Sequence, residues 1–160
     1  MALAVPLSRF TSRVGGGSAF FVRQEQMPDH TIYLIGGADD ETANVACESD
    51  NDQCRIVFRY RDRMIEESAL DFFEAFCRVR LRLEEEKLIP FCYGASLNVY
   101  PSGMCRDMGA GMKAYRMTIG KQVDPKKDLV SIFAEGPDVT PATVARQKEH
   151  FDEWLKTKRA

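Results

Sequence analysis

Apolar residues along the chain recur with two periods, one of two and one of three to four, and the changes of period mark out the elements. "TIYLIGG" (31–37) and the earlier "SAFFVRQEQ" (18–26) are rich in aromatic and β-branched residues, so both read as strands. The "MPDH" between them, with Pro28 and Asp29 at its centre, is turn chemistry. "CRIVFRYRD" (54–62) alternates: Ile56, Phe58 and Tyr60 share one face, and Arg55, Val57, Arg59 and Arg61 share the other. That is the pattern of a half-buried strand. Next the period lengthens, and Ala69, Phe72, Phe73, Phe76, Cys77 and Leu83 fall at helical spacing, with Arg78, Arg82, Glu85 and Glu86 on the charged side. Ser68 is the expected cap, and Asp71 three residues on completes a capping-box-like start. The helix is expected to run to about Lys87, because Pro90 forbids its continuation.

Further along, "IPFCYGAS" (89–96) reads as extended chain, and "KAYRMTIG" (113–120) and "DLVSIFAEG" (128–136) read as strands. Ala114 and Met117 are not required in the core by this pattern. Thr140 followed by Pro141 gives an N-cap with proline at the first helical position. Val144, Phe151, Trp154 and Leu155 then form one apolar stripe, so the last helix is expected to dock on the body. Hairpin-like strands with two long helices predict a single α+β domain, its sheet antiparallel or mixed, with two main helices packed on it. The triple glycine at 15–17 separates a leader (1–17) from that domain (18–160).

Composition narrows the function classes. A chain of 160 residues with 44% hydrophobic and 29% charged residues is long enough for one substantial core. A formal net charge of -2 argues against a general nucleic-acid binder, which needs a basic surplus for phosphate contacts. No apolar run approaches the roughly 20 residues needed to span a bilayer, so no membrane role is expected and a cytoplasmic location is. The five cysteines, Cys47, Cys54, Cys77, Cys92 and Cys105, are odd in number and contain no C-x-x-C pair. They read as reduced thiols rather than a disulfide framework or zinc site. His30 falls in a turn and His150 on the polar side of a helix, without ligand spacing, so no metal or cofactor is expected. The segment 38–53 carries Asp39, Asp40, Glu41, Glu48, Asp50 and Asp52 without a basic residue up to Gln53. It reads as a solvated loop, and Asp39, Asp40 and Glu41 as candidates for steering a partner.

The candidate chemistry concentrates in "LNVYPSGMCRDMGAGMKAYRM" (97–117). Its glycines permit backbone dihedrals closed to other residues, but "GAG" at 109–111 lacks the spacing of a nucleotide-binding fingerprint. Ser102 and Lys113 invite comparison with a serine–lysine pair, although no surrounding motif supports one. Tyr100, Met104, Arg106, Asp107 and Met108 are residue types suited to a protein contact. The reading that follows is a shaped recognition loop without catalytic residues. A small enzyme using 98–113 as a phosphate or nucleotide pocket, and an adaptor binding another protein, are the alternatives.

A resemblance sharpens the first reading. "CYGASLNVYPSGMCRDMGAGMKAYRMTIGK", then "DLVSIFAEG" and "VARQKEHFDEWLK", resembles a group of small bacterial immunity proteins associated with polymorphic or contact-delivered toxins. The likeness covers the latter half of the chain and brings no catalytic residues with it. It implies a protein that binds one cognate toxin domain and blocks its active site.

Overall fold

The computed structural model describes residues 29–50 and 52–158; the leader and the strand expected at 18–26 lie outside them. Five strands form one antiparallel sheet: β1 (His30–Ile35), β2 (Thr42–Ser49), β3 (Cys54–Tyr60), β4 (Arg63–Ala69) and β5 (Ile89–Phe91), in the order β4-β3-β2-β1-β5. Helix α1 (Phe72–Glu84) joins β4 to β5 and packs on the sheet. The second half supplies β6 (Val99–Tyr100), α2 (Gly103–Gly109), β7 (Lys113–Arg116), β8 (Leu129–Ser131) and α3 (Val144–Lys158). Strands β6, β7 and β8 make a small antiparallel sheet of their own. The expected single α+β domain is what forms, and its sheets are antiparallel.

Cross-strand register explains the core. Val45 pairs with Phe58, which pairs with Ile65, so all three side chains share one face and are buried. Ile56, Phe58 and Tyr60 point together, as the alternation requires, and Val57 on the opposite face is buried too. Phe72, Phe73, Phe76, Val79 and Leu83 of α1 cover the sheet's inner face. Burying side chains of this size contributes roughly 1.5–3 kcal/mol each, which makes this layer the main source of stability.

Several expectations fail for identifiable reasons. The acidic segment 38–53 is not a loop, because its middle is β2, paired on both sides. Ala43, Val45 and Ala46 are small enough to leave a weak pattern, yet all are buried. The carboxylates gather at the strand's ends, where Glu48 meets Arg55 at 2.5 Å and Glu41 meets Arg61 at 2.6 Å. Ser68 is not the helix cap, since it belongs to β4, which the polar stretch "RMIEESA" conceals. The cap is Asp71, whose Oδ1 accepts the Glu74 N–H at 2.8 Å.

Helix α1 also stops earlier than expected, with Glu85 as its C-cap and Lys87 in the left-handed region at φ 62°. Thr140 and Pro141 do not start α3. Pro141 bridges Ser96, and Thr143 Oγ1 accepts the Arg146 N–H at 3.2 Å. Ala114 and Met117 are buried. His30 is not exposed turn chemistry, because it opens β1 and stacks on Phe133, ring centroids 4.8 Å apart. His150 is half-buried, and burial holds its pKa below the usual histidine value.

Candidate functional site

The span expected to be a loop from Asn98 to Gly111 is a strand stub followed by a helix. Ser102 caps α2 by accepting the Cys105 N–H at 3.1 Å. Gly103 and Gly109 lie within this helix, where neither needs the freedom of a glycine. Left-handed backbone occurs at Ala110 (φ 54°) and Gly111 (φ 75°), which turn the chain into β7. Gly111 is required there for a second reason. A Cβ would come within 2.8 Å of Asp71 Oδ1 and 2.9 Å of Phe73 N.

That close approach fastens α2 to the start of α1. The Phe72 N–H donates to Ala110 O at 2.7 Å, satisfying an amide that the first turn of α1 leaves open. Arg106 donates to Asp71 Oδ2 at 3.1 Å, so the α1 cap also anchors α2. The Arg106 guanidinium lies 5.3 Å from the centre of the Phe73 ring and 5.7 Å from that of Tyr100. Tyr100 is itself stacked on Phe151 of α3 at 4.2 Å, 11° from parallel. Burial raises the Tyr100 pKa above the ordinary phenol value.

The five residues proposed for this loop therefore divide. Tyr100 and Arg106 face inward as ties between α2, α1 and α3, whereas Met104, Asp107 and Met108 face solvent. Met104 is 68% exposed and Met108 79% exposed, one helical turn apart on the same face. Leu70, not anticipated from the sequence, is 81% exposed. It immediately precedes Asp71 and Phe72, both of which touch α2. These are the three most exposed large apolar side chains of the described residues, two on α2 and one at the chain position just before the cap that anchors it.

The other candidates lie elsewhere. Asp39 and Asp40 are exposed in the β1–β2 turn. Glu41 is engaged: it accepts from Arg61 and from the Ala38 N–H, and the Arg61 hydrogen bond holds its pKa below the usual carboxylate value. The Ser102 hydroxyl serves as the α2 cap, and Lys113 is exposed at the start of β7 opposite Ser131.

Behind the platform is a buried polar node. Arg80, only 1% exposed, donates to Gly94 O at 3.0 Å, Gln147 Oε1 at 2.7 Å and Ala142 O at 3.0 Å. Gln147 in turn donates to Gly94 O, Ser96 O and Val99 O. Three segments distant in sequence are joined there. All five cysteines are free thiols, and no cluster of metal-binding side chains occurs among the described residues. No helix of the described residues is long and apolar enough to cross a membrane. The fold is that of an α+β domain with two exposed methionines on a braced short helix. No protein-family model matches the chain, and no curated protein matches it in sequence.

The brace makes a measurable forecast. Arg106→Ala should lower stability by about 1–2 kcal/mol, since it removes a charged hydrogen bond and a contact with two rings. Asp71→Asn should be milder than Asp71→Ala, because asparagine keeps the cap acceptor while dropping the ion pair. Urea titration of the three variants gives the ranking. An exposed, unneeded Arg106 would melt with the wild type.

Proposed function

We propose that this protein is an immunity-type inhibitor, which docks on a cognate toxin domain through the Leu70–Met104–Met108 ridge and occludes its active site. The exposure of all three side chains carries the reading, with Met104 and Met108 one turn apart on a helix fastened to the residue that follows Leu70. An exposed apolar pair on one helix face offers a partner apolar surface to cover. Methionine is adaptable enough to fill an irregular cleft. The anchors below the ridge reduce the ordering cost of docking, because α2 is already held in place. The partner class comes from the resemblance of the latter half to toxin-neutralising proteins.

Met104→Glu/Met108→Glu tests the ridge. Both side chains project into solvent, so stability should stay within about 0.5 kcal/mol of wild type. Affinity for the toxin encoded beside the gene should fall at least about tenfold, equivalent to roughly 1.4 kcal/mol. Protection of cells against that toxin should fall in parallel. Undiminished protection by the double variant would move the interface elsewhere. The enzyme alternative forecasts turnover of a nucleotide or ester by the purified chain, abolished in Ser102→Ala or Lys113→Ala. The adaptor alternative forecasts a partner whose activity is unchanged by binding.

A further inference from the structure

Five free thiols would ordinarily be the first targets of a peroxide, but reaction requires the thiolate. Burial pushes the pKa of Cys47 and Cys92 up to about 12 and that of Cys77 up to about 11, and it raises Cys54 as well. Those four are protonated at neutral pH. Cys105 is half-buried on α2. Thioether oxidation has no such requirement, and its rate follows exposure of the sulfur-bearing side chain. The described methionines span the full range of exposure. Met108 and Met104 are the most open, Met64 is 48% exposed on β4, Met112 packs against the core and Met117 is buried.

We propose that the Met104–Met108 pair is an oxidative modification site, the first point among the described residues at which hydrogen peroxide acts, and that sulfoxidation switches off the docking ridge. The second half rests on the docking reading above. The methionine sulfur attacks one peroxide oxygen, forming the S–O bond as the O–O bond breaks. The departing oxygen leaves as water after proton transfer. Sulfur loses two electrons and peroxide gains them, giving one sulfoxide and one water per event.

The product is a polar group on a surface meant to be covered. Covering it without a hydrogen-bond donor from the partner is unfavourable, so a face built for apolar contact would no longer dock. Adjacent turns place both sulfurs under the same partner surface, so either modification interferes. Methionine sulfoxide reductases can reverse the change, which makes the pair a switch rather than a lesion.

Peptide mass mapping of the folded full chain after graded hydrogen peroxide tests the site without a partner. Among the described methionines, sulfoxide should form at Met108 and Met104 first, then at Met64, and at Met112 and Met117 at least about tenfold more slowly. Oxidation of any cysteine, Cys105 included, ahead of the pair would overturn the assignment, as would equal rates at Met117. The switch is tested by capture of the neighbouring-gene toxin. Peroxide-treated protein should bind at least about tenfold more weakly, with recovery after treatment by both methionine sulfoxide reductases. Whatever affinity Met104→Leu/Met108→Leu shows before treatment should be the same after peroxide. Sulfoxide formation without loss of capture would refute the switch while leaving docking to be judged by the glutamate variant. If untreated protein fails to capture the toxin, the docking reading and its dependent switch fall, and the mass map alone decides the modification site.

Discussion

Arg80→Ala is expected to lower the stability of this domain by about 3–5 kcal/mol, as breaking a buried charged group with several hydrogen bonds does. The guanidinium is paired with no carboxylate among its described partners; carbonyl and amide oxygens surround it instead. Desolvation lowers its pKa below the ordinary arginine value, a sign of how far it is from water. What offsets the burial is the set of oxygens at Gly94, Ala142 and Gln147. Truncation opens a cavity and leaves Ala142 O without this donor. It also frees the Gln147 side chain, whose carbonyl oxygen Arg80 holds while its amide binds three backbone oxygens. Arg80→Met restores much of the volume and should cost less than alanine. Lysine should not rescue fully, because a single ammonium cannot reproduce the fork that reaches Gly94 and Ala142 together. Urea denaturation of the three variants tests this, and a wild-type midpoint for Arg80→Ala would contradict it.

Trp154→Ala should also cost about 3–5 kcal/mol, the usual range for emptying a large aromatic site. The indole is buried, stacks beside Phe151 with ring centroids 6.2 Å apart, and donates from Nε1 to Lys121 O at 2.8 Å. Its loss affects two structures at once. Helix α3 loses an anchor, and the turn at 118–121 loses one of its ties to that helix, another being the Gly120 N–H to Thr157 Oγ1 at 3.0 Å. For a chain of this size the melting temperature should fall by roughly 6–20 °C. Far-UV circular dichroism is the suitable readout, since Trp154 is the sole tryptophan and its fluorescence disappears with it. Unchanged melting would mean that α3 does not hold the body together.

These residues also show where the sequence was legible. Strong periodicity identified β3, the core face of α1 and the apolar stripe of α3, because large apolar side chains recur there at regular spacing. Strands β2 and β4 were obscured by their polar content. β2 buries small residues, and β4 lies at the sheet edge with charged side chains on it. Arg80 lies between Phe76 and Leu83, and Gln147 between Val144 and Phe151, each a polar position within an apolar stripe. That pairing of interruptions was the available signal for the buried node, but one-dimensional periodicity does not indicate that the two interruptions are mutual partners.

The ridge was half legible. Residue type drew attention to Tyr100, Met104, Arg106, Asp107 and Met108, yet type does not tell which face of a short helix is solvent-facing. The Ser102 cap was a cue to helix, and reading it would have placed Met104 and Met108 together. Leu70 carried no cue, because an isolated leucine before a helix is ordinarily core. The fastening of α2 to α1 through Asp71 and Gly111 sets its chain neighbour Asp71 against α2.

The node around Arg80 has a consequence for biosynthesis. Strands β1 to β4 follow one another as neighbours, so they can associate soon after leaving the ribosome, whereas Arg80 on α1 precedes its acceptors at Ala142 and Gln147 by more than sixty residues. Domains form as units, with the amino-terminal part made first. Until residue 147 has been synthesised, Arg80 lacks its acceptors at Ala142 and Gln147, so the polar node beneath α1 is completed only with the last helix.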